Sequence, residues 1–341
     1  MAHDVFGIGN ALVDIEVRVS NRDLRRLKLT RGAMKLTTAE EQQQLLESLQ
    51  SRIQNVCSGG SAANTMHGIG ALGGDAYFLG RVASDEYGQL YTEDMEQCGV
   101  GFPGPGAPET GTGTSLVLVT PDGQRTLVTH LGISTTLNAG NVDPTILDQS
   151  KVAYVEGYLW DAPGPRAAAM RVAERANDQG IALAFTLSDA FLINRYREEL
   201  LQFVHQHVDI LFCNEVEACA MAATDDPLAA FRQMTPMVQY LFLTRGGKGA
   251  VASHRGDGHV HADAFPTEVV DTTGAGDLFA AGALYGLTHG HSLEQCCILG
   301  SWCGSRIVGQ LGARLGGDFT GRLEPIFDEY ASMARQESSA G

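Results

Sequence analysis

Apolar positions along the chain come in two alternating rhythms: short runs rich in β-branched and aromatic residues, and longer segments with helical spacing. "VFGIGNALVDIEV" (5–17) predicts a strand interrupted by a Gly-Asn break. A helix is predicted over 38–53, opened by a capping box of Thr38 and Glu41. "SAANTMHGIGAL" (61–72) reads as a helix despite its glycines, "DAYFLG" as the strand after it, and 87–99 as a helix with a Gly stop. A Pro/Gly-rich connector (101–114) then leads into two β runs around a Pro-Asp-Gly turn, a hairpin over 115–131.

Beyond the hairpin the rhythm is regular. Strands are predicted at 152–160, 181–187, 208–213 and 238–244, with helices at 164–179 (closed by Gly180), near 195–206, and from Asn214. A second hairpin at 250–261 and helices from 277, 292 and 322 complete the pattern, with a disordered tail expected over 331–341. Apolar strands separated by helices imply an α/β protein with a mainly parallel sheet covered on both faces. An antiparallel hairpin inserted into such a sheet is often a lid.

Composition narrows the chemistry. The 341 residues are 44% hydrophobic, enough for a large core, and 41 glycines suit many short βα turns. Forty acids against 24 Lys and Arg give a formal charge of −16, which repels phosphate backbones and anionic lipid. No nucleic-acid or membrane partner is expected. The seven scattered cysteines, the absence of an apolar span and the lack of a secretory pattern at the N-terminus predict a cytoplasmic protein. Cys296, Cys297 and Cys303, with His289 and His291, lack metal-ligand spacing and read as helix core.

Two glycine motifs mislead. "GIGALG" (Gly68, Gly70, Gly73) fits G-x-G-x-x-G but sits inside a helix and precedes a strand, the reverse of a dinucleotide-binding turn. "TRGGKGA" (244–250) is no P-loop. "VVDTTGAGDLFAAGAL" (269–284) is different. Glycines 274 and 276 free backbone amides to face one point at the start of an apolar helix, whose dipole adds partial positive charge. That makes an anion hole without cationic side chains. Asp277 beside it repels anions and makes sense as the acceptor of a proton from an attacking hydroxyl. Helix capping alone would need less glycine.

This element resembles the C-terminal signature of the ribokinase-like, or PfkB, sugar kinases. The resemblance implies Asp277 as catalytic base and the amides of Gly274, Ala275 and Gly276 as the anion hole. The N-terminal signature is similar to "SGGSAANTMHGIGALGG" (58–74), with Gly59, Gly60 and Asn64 at substrate-binding positions, and "GNALVDIEV" supplies Asn10 and Asp14 for sugar hydroxyls. "CNEVEA" gives Asn214 for ATP and Glu217 for indirect placement of Mg²⁺, while Thr244, Gly246, Gly249 and Thr273 would line the nucleotide. K⁺ is implied near Asp271 and Thr273. The fold implied is a three-layer α/β/α domain over 1–330 with a small discontinuous β lid from about 12–37 and 110–134.

"YVEGYLW" and the segment 112–134 look like adenosine kinases within that family. An apolar, flat-walled slot for a purine has Leu131, Tyr158, Trp160 and Phe191 as candidates, and Arg125 on the lid turn could reach the moving phosphate. The helix dipole is expected to lower the pKa of Asp277. The reading is an ATP- and Mg²⁺-dependent kinase making AMP from adenosine, a monomer or homodimer. Ribose, fructose, a keto-deoxy sugar acid, inosine or guanosine as acceptors stay open, as does a catalytically idle nucleoside-binding protein.

Overall fold

A computed structural model describes residues 3–106, 110–255 and 258–340. Residues 1–2, 107–109 of the Pro/Gly connector, 256–257 in the second hairpin and Gly341 of the tail lie outside the described residues. In chain order the strands are β1 (His3–Ile8), β2 (Leu12–Arg18), β3 (Met34–Leu36), β4 (Ile53–Gly59), β5 (Ala76–Leu79), β6 (Gly113–Val119) and β7 (Arg125–His130). Then come β8 (Ser150–Glu156), β9 (Ala182–Thr186), β10 (Ile210–Asn214), β11 (Tyr240–Thr244), β12 (Ala250–His254) and β13 (His259–Ala262).

They form two sheets. The larger runs β13-β12-β11-β10-β9-β8-β1-β5, parallel from β11 to β5 and antiparallel over the final hairpin. Successive residues of its strands enter different cores, as the pleat demands. Val5 packs on one face and Phe6 on the other; Phe212 and Leu211 divide in the same way. Helices Ser61–Ala71, Ala275–Thr288 and Leu293–Val308 cover the first face, and Pro163–Gln179 and Ala190–His207 the second. Burying each Val, Leu, Ile or Phe contributes about 1.5–3 kcal/mol. The molecule is therefore an α/β fold with a mixed sheet, helices on both sides and a second, smaller sheet, the arrangement that the resemblance implied.

The smaller sheet runs β3-β7-β6-β2-β4. The Gly-Asn break expected within 5–17 is the switch between sheets: β1 ends at Ile8 and β2 starts at Leu12. The smaller sheet also takes β4, part of which was read as the end of the helix predicted over 38–53. That helix stops at Leu49, and its capping box is only half formed. Thr38 accepts from Glu41 N–H, while the Glu41 carboxylate turns to the Thr37 hydroxyl.

Other boundaries differ for local reasons. The helix expected near 195 starts at Ala190, capped by Asp189, and Tyr196 interrupts its regular dihedrals. Residues 331–340, expected as a disordered tail, continue the helix Leu323–Ala340. Three short helices escaped the apolar pattern, yet each carried a start signal: a Ser20–Asp23 capping box, Asp143-Pro144 and Asp226-Pro227. Gly68 of "GIGALG" is a packing glycine; a Cβ there would meet Leu278 Cδ1 at 2.6 Å and Ala281 Cβ at 2.7 Å. It lets the helices Ser61–Ala71 and Ala275–Thr288 approach closely, which matters for the site between them.

Candidate active site

Gly274 stands at φ +72°, left-handed backbone that suits glycine, and begins the helix Ala275–Thr288 without a side-chain cap. Among the described residues no protein oxygen accepts from the amides of Gly274, Gly276 or Asp277. Ala275 N–H alone makes a long 3.4 Å contact, with Thr272 O. The helix thus offers unspent donors and the positive end of its dipole to the space in front of it.

Asp277 lies in the first turn but does not cap its own helix. Its carboxylate accepts from Ser61 Oγ at 2.7 Å and Asn64 Nδ2 at 2.8 Å. Those two residues are three apart on the neighbouring helix and so share a face. The depression expected from the dipole is overturned: burial pushes the Asp277 carboxyl up, and outweighs the Asn64 and Ser61 donors that pull it down. A carboxylate so placed is a better proton acceptor than an ordinary aspartate.

Both helices open onto a cavity of about 430 Å³ between the two sheets. Its wall includes the transfer loop (Thr273 to Asp277), Asn10, Asp14, Gly60, Asn64, Asn214, Glu217, Thr244 and Gly246. Leu12, Met34, Leu36, Val117, Leu127 and Leu131 of the small sheet and its return face it as an apolar surface, with Tyr158 from the large domain. Gly59 and Gly249 do not line it. A Cβ on Gly59 would strike the Asp14 carboxylate at 2.3 Å, so its role is to let that acid in; Gly249 sits in the turn before β12. Gly60, at φ +94°, brings the chain against Asn10 O, where a Cβ would lie 2.1 Å away.

Two slot candidates do not reach the cavity. Trp160 is buried against Phe185 and Phe203 at centroid distances of 5.5 and 4.7 Å, and Phe191 is 50% exposed. Leu131 and Tyr158 are in the wall. Arg125 does reach in from the small sheet, but its Nε lies 3.3 Å from the buried Asp271 Oδ1. That ion pair apart, the Asp271 carboxylate accepts hydrogen bonds from Thr273 N (2.9 Å), Thr273 Oγ1 (2.6 Å) and Gly312 N (3.2 Å). Its side chain is thus committed to shaping the loop.

Buried acids concentrate here. Burial pushes Asp14, Glu156 and Glu217 up to about 7, despite nearby cations or amide donors that lower each. Glu217 and Asn214 form a reciprocal capping box: Asn214 N and Nδ2 donate to the Glu217 carboxylate at 3.0 and 2.7 Å, and Glu217 N donates back at 2.9 Å. Glu156 was not foreseen. It accepts from Asn10 N (2.7 Å), Asn10 Nδ2 (3.0 Å) and Ala62 N (2.8 Å), tying the β1–β2 switch to the helix that holds Ser61. Ser61 was also missed, although it lies between two predicted substrate positions. Among the described residues no cluster of three or more His, Cys, Asp or Glu could hold a metal ion. Glu217, in the cavity wall, is the residue that would act on Mg²⁺ brought in with ATP phosphates.

Comparison with known proteins decides the family, since the pfkB family carbohydrate kinase model matches residues 35–318. The chain belongs to the PfkB family of carbohydrate kinases. An adenosine kinase from Sinorhizobium meliloti is similar in structure, with TM-score 0.90 and 38% identity, covering 95% of this chain and 99% of that one. A probable sugar kinase from Rhizobium etli CFN 42 matches with TM-score 0.91 and 36% identity over the same shares, 95% and 99%. An ATP-dependent ribose-1-phosphate kinase from Halopiger xanaduensis is 27% identical over 77% of this chain and 84% of its own length. This PfkB kinase is accordingly a phosphotransferase acting on a hydroxyl group, of a family that generally uses ATP and Mg²⁺. Among the described residues no helix is long and apolar enough to cross a membrane.

Proposed function

We propose that this PfkB kinase transfers the γ-phosphoryl group of ATP to the 5′-hydroxyl of adenosine, giving AMP. One observation carries the reading. The Asp277 carboxylate, aimed by Ser61 and Asn64, lines one cavity together with the unspent amides of the transfer loop, an apolar wall and Tyr158. Base, anion hole and purine slot thus meet in one cavity, whose volume falls in the range of about 300 to 1,000 Å³ usual for small-molecule sites.

In the transfer, Asn10 and Asp14 bind ribose hydroxyls and orient the acceptor. Asp277 takes the proton of the attacking hydroxyl, late in a loose transition state. The amides of Gly274, Ala275 and Gly276 meet the charge on the moving group, with Ala275 releasing its long contact to Thr272. Mg²⁺ neutralises phosphate charge when bound with ATP. Thr244 and Gly246, which line the same cavity, would contact the nucleotide. The lid sheet excludes water and limits idle hydrolysis. K⁺ would rest on main-chain oxygens near Asp271 and Thr273, because the Asp271 side chain is already engaged.

The matched ribose-1-phosphate and sugar kinases make a free or phosphorylated sugar the second reading. A radiolabelled-ATP assay against adenosine, inosine, guanosine, ribose and fructose, with and without K⁺, separates them. Transfer to adenosine is the expected result. Transfer to sugars alone overturns the nucleoside reading, and no transfer to any acceptor overturns the kinase reading of this site.

A further inference from the structure

Asp161 lines the cavity and has no part in the transfer scheme. A short 3₁₀ turn, Gly157–Asp161, follows β8 directly. Its period of three residues puts Tyr158 and Asp161 on one face, and both line the cavity. In sheet order β8 lies next to β1, with β9 and β10 between it and β11. Asp161 therefore belongs to the acceptor half, with Asn10 and Glu156, and away from Thr244 and Gly246.

The other acids of the wall have evident work. Glu156 takes three amide donors, Glu217 caps its helix, and Asp277 is held by Ser61 and Asn64. The Asp161 side chain is 5% exposed, and its Oδ1 lies 3.3 Å from Nη1 of Arg195, an arginine 55% exposed at the surface. The Tyr196 side chain is a second donor to it, and with about four lone-pair sites a carboxylate held by these two can still accept more. A flat base lying against Tyr158 turns its edge toward the residue one turn on.

We infer that Asp161 reads that edge: its carboxylate accepts a hydrogen bond from an exocyclic amine, so the site favours 6-amino purine nucleosides and rejects 6-oxo ones. A 6-oxo group would set acceptor against acceptor. A free sugar would gain nothing from Asp161. The inference rests on the nucleoside reading above and sharpens it to one class of base.

The test compares kcat/KM for adenosine and inosine in the full-length wild type, D161N and D161S. In D161N the amide group can donate to a 6-oxo oxygen. Its adenosine-over-inosine ratio is expected to fall about tenfold or more, since hydrogen bonds to charged groups are worth that much. D161S, too short to reach, should lower the ratio through adenosine alone. A merely structural role would lower both substrates together and leave the ratio in place. The outcomes separate cleanly. If the wild type phosphorylates no purine nucleoside, the nucleoside reading falls and this one with it. If it phosphorylates adenosine but both variants keep the wild-type ratio, the inference about Asp161 alone is overturned.

Discussion

The transfer loop and the acceptor wall face each other across one cavity and are built in opposite ways. Residues 271–277 are one continuous stretch whose chemistry is local: a buried Asp271 braces Thr273, Gly274 turns the chain, and the next amides face forward. The acceptor wall is a mosaic. Its apolar face takes Leu12, Leu36, Val117 and Leu127 from four strands spread over more than 100 positions, and Tyr158 from the other sheet. Damage to the first should abolish chemistry and leave binding. Damage to the second should weaken binding and leave chemistry.

The largest expected effect follows from removing the base. Asp277→Asn keeps the side-chain volume and the partners Ser61 and Asn64, yet cannot take a proton. Its kcat should fall by about 10² to 10⁴-fold, the range for a general base, with the binding of ATP unchanged. Near-normal turnover would mean that some other group is the base. A smaller effect is expected at Gly274. Alanine there would hold φ +72° against preference and press its Cβ to within 2.8 Å of Ala313 Cβ. Left-handed backbone costs about 1–2 kcal/mol in a residue with a side chain, so Gly274→Ala should lower kcat roughly tenfold and destabilise the fold slightly. A variant with full kcat would show that the loop tolerates another backbone and is not a shaped anion hole.

On the opposite wall, Leu127→Ala removes apolar contact that substrate and transition state share. The acceptor KM should rise about tenfold, the equivalent of some 50 Å² of lost apolar burial, with kcat held. A drop in kcat with KM unchanged would reverse the proposed division of labour between the walls.

The same contrast explains what could be read from the chain. The parallel sheet, its covering helices and the Asp277 loop were legible because each depends on neighbours in sequence. The lid sheet was only half legible. β3 is three residues long and β4, "IQNVCSG", carries polar side chains, because both are edge strands of the small sheet. An edge strand needs little apolar pattern, so a pattern search passes over it. Ser61 and Glu156 were missed for a related reason. Their partners lie 216 and up to 146 residues away, and no local spacing announces them. Trp160 and Phe191 misled because aromatic residues fill cores and surfaces as readily as slots.

The smallest effect concerns the acids that the two walls share, and it has a definite sign. Asp14, Glu156 and Glu217 titrate near 7 in the fold through burial, whereas in an unfolded chain such groups titrate near 4. Between about pH 4 and 7 the folded chain holds protons that the unfolded chain has released. Their stabilising contribution is complete below the unfolded value and is lost as pH rises through 7. Thermal stability should therefore decline by a few degrees from pH 5.5 to 8.5. The net charge of −16 adds self-repulsion in the same direction, so the decline alone does not identify the buried acids. Asp14→Asn does. It removes one buried titrating group and leaves the exposed charges as they were, and the slope of Tm against pH should become shallower. An unchanged slope would assign the whole pH response to the surface.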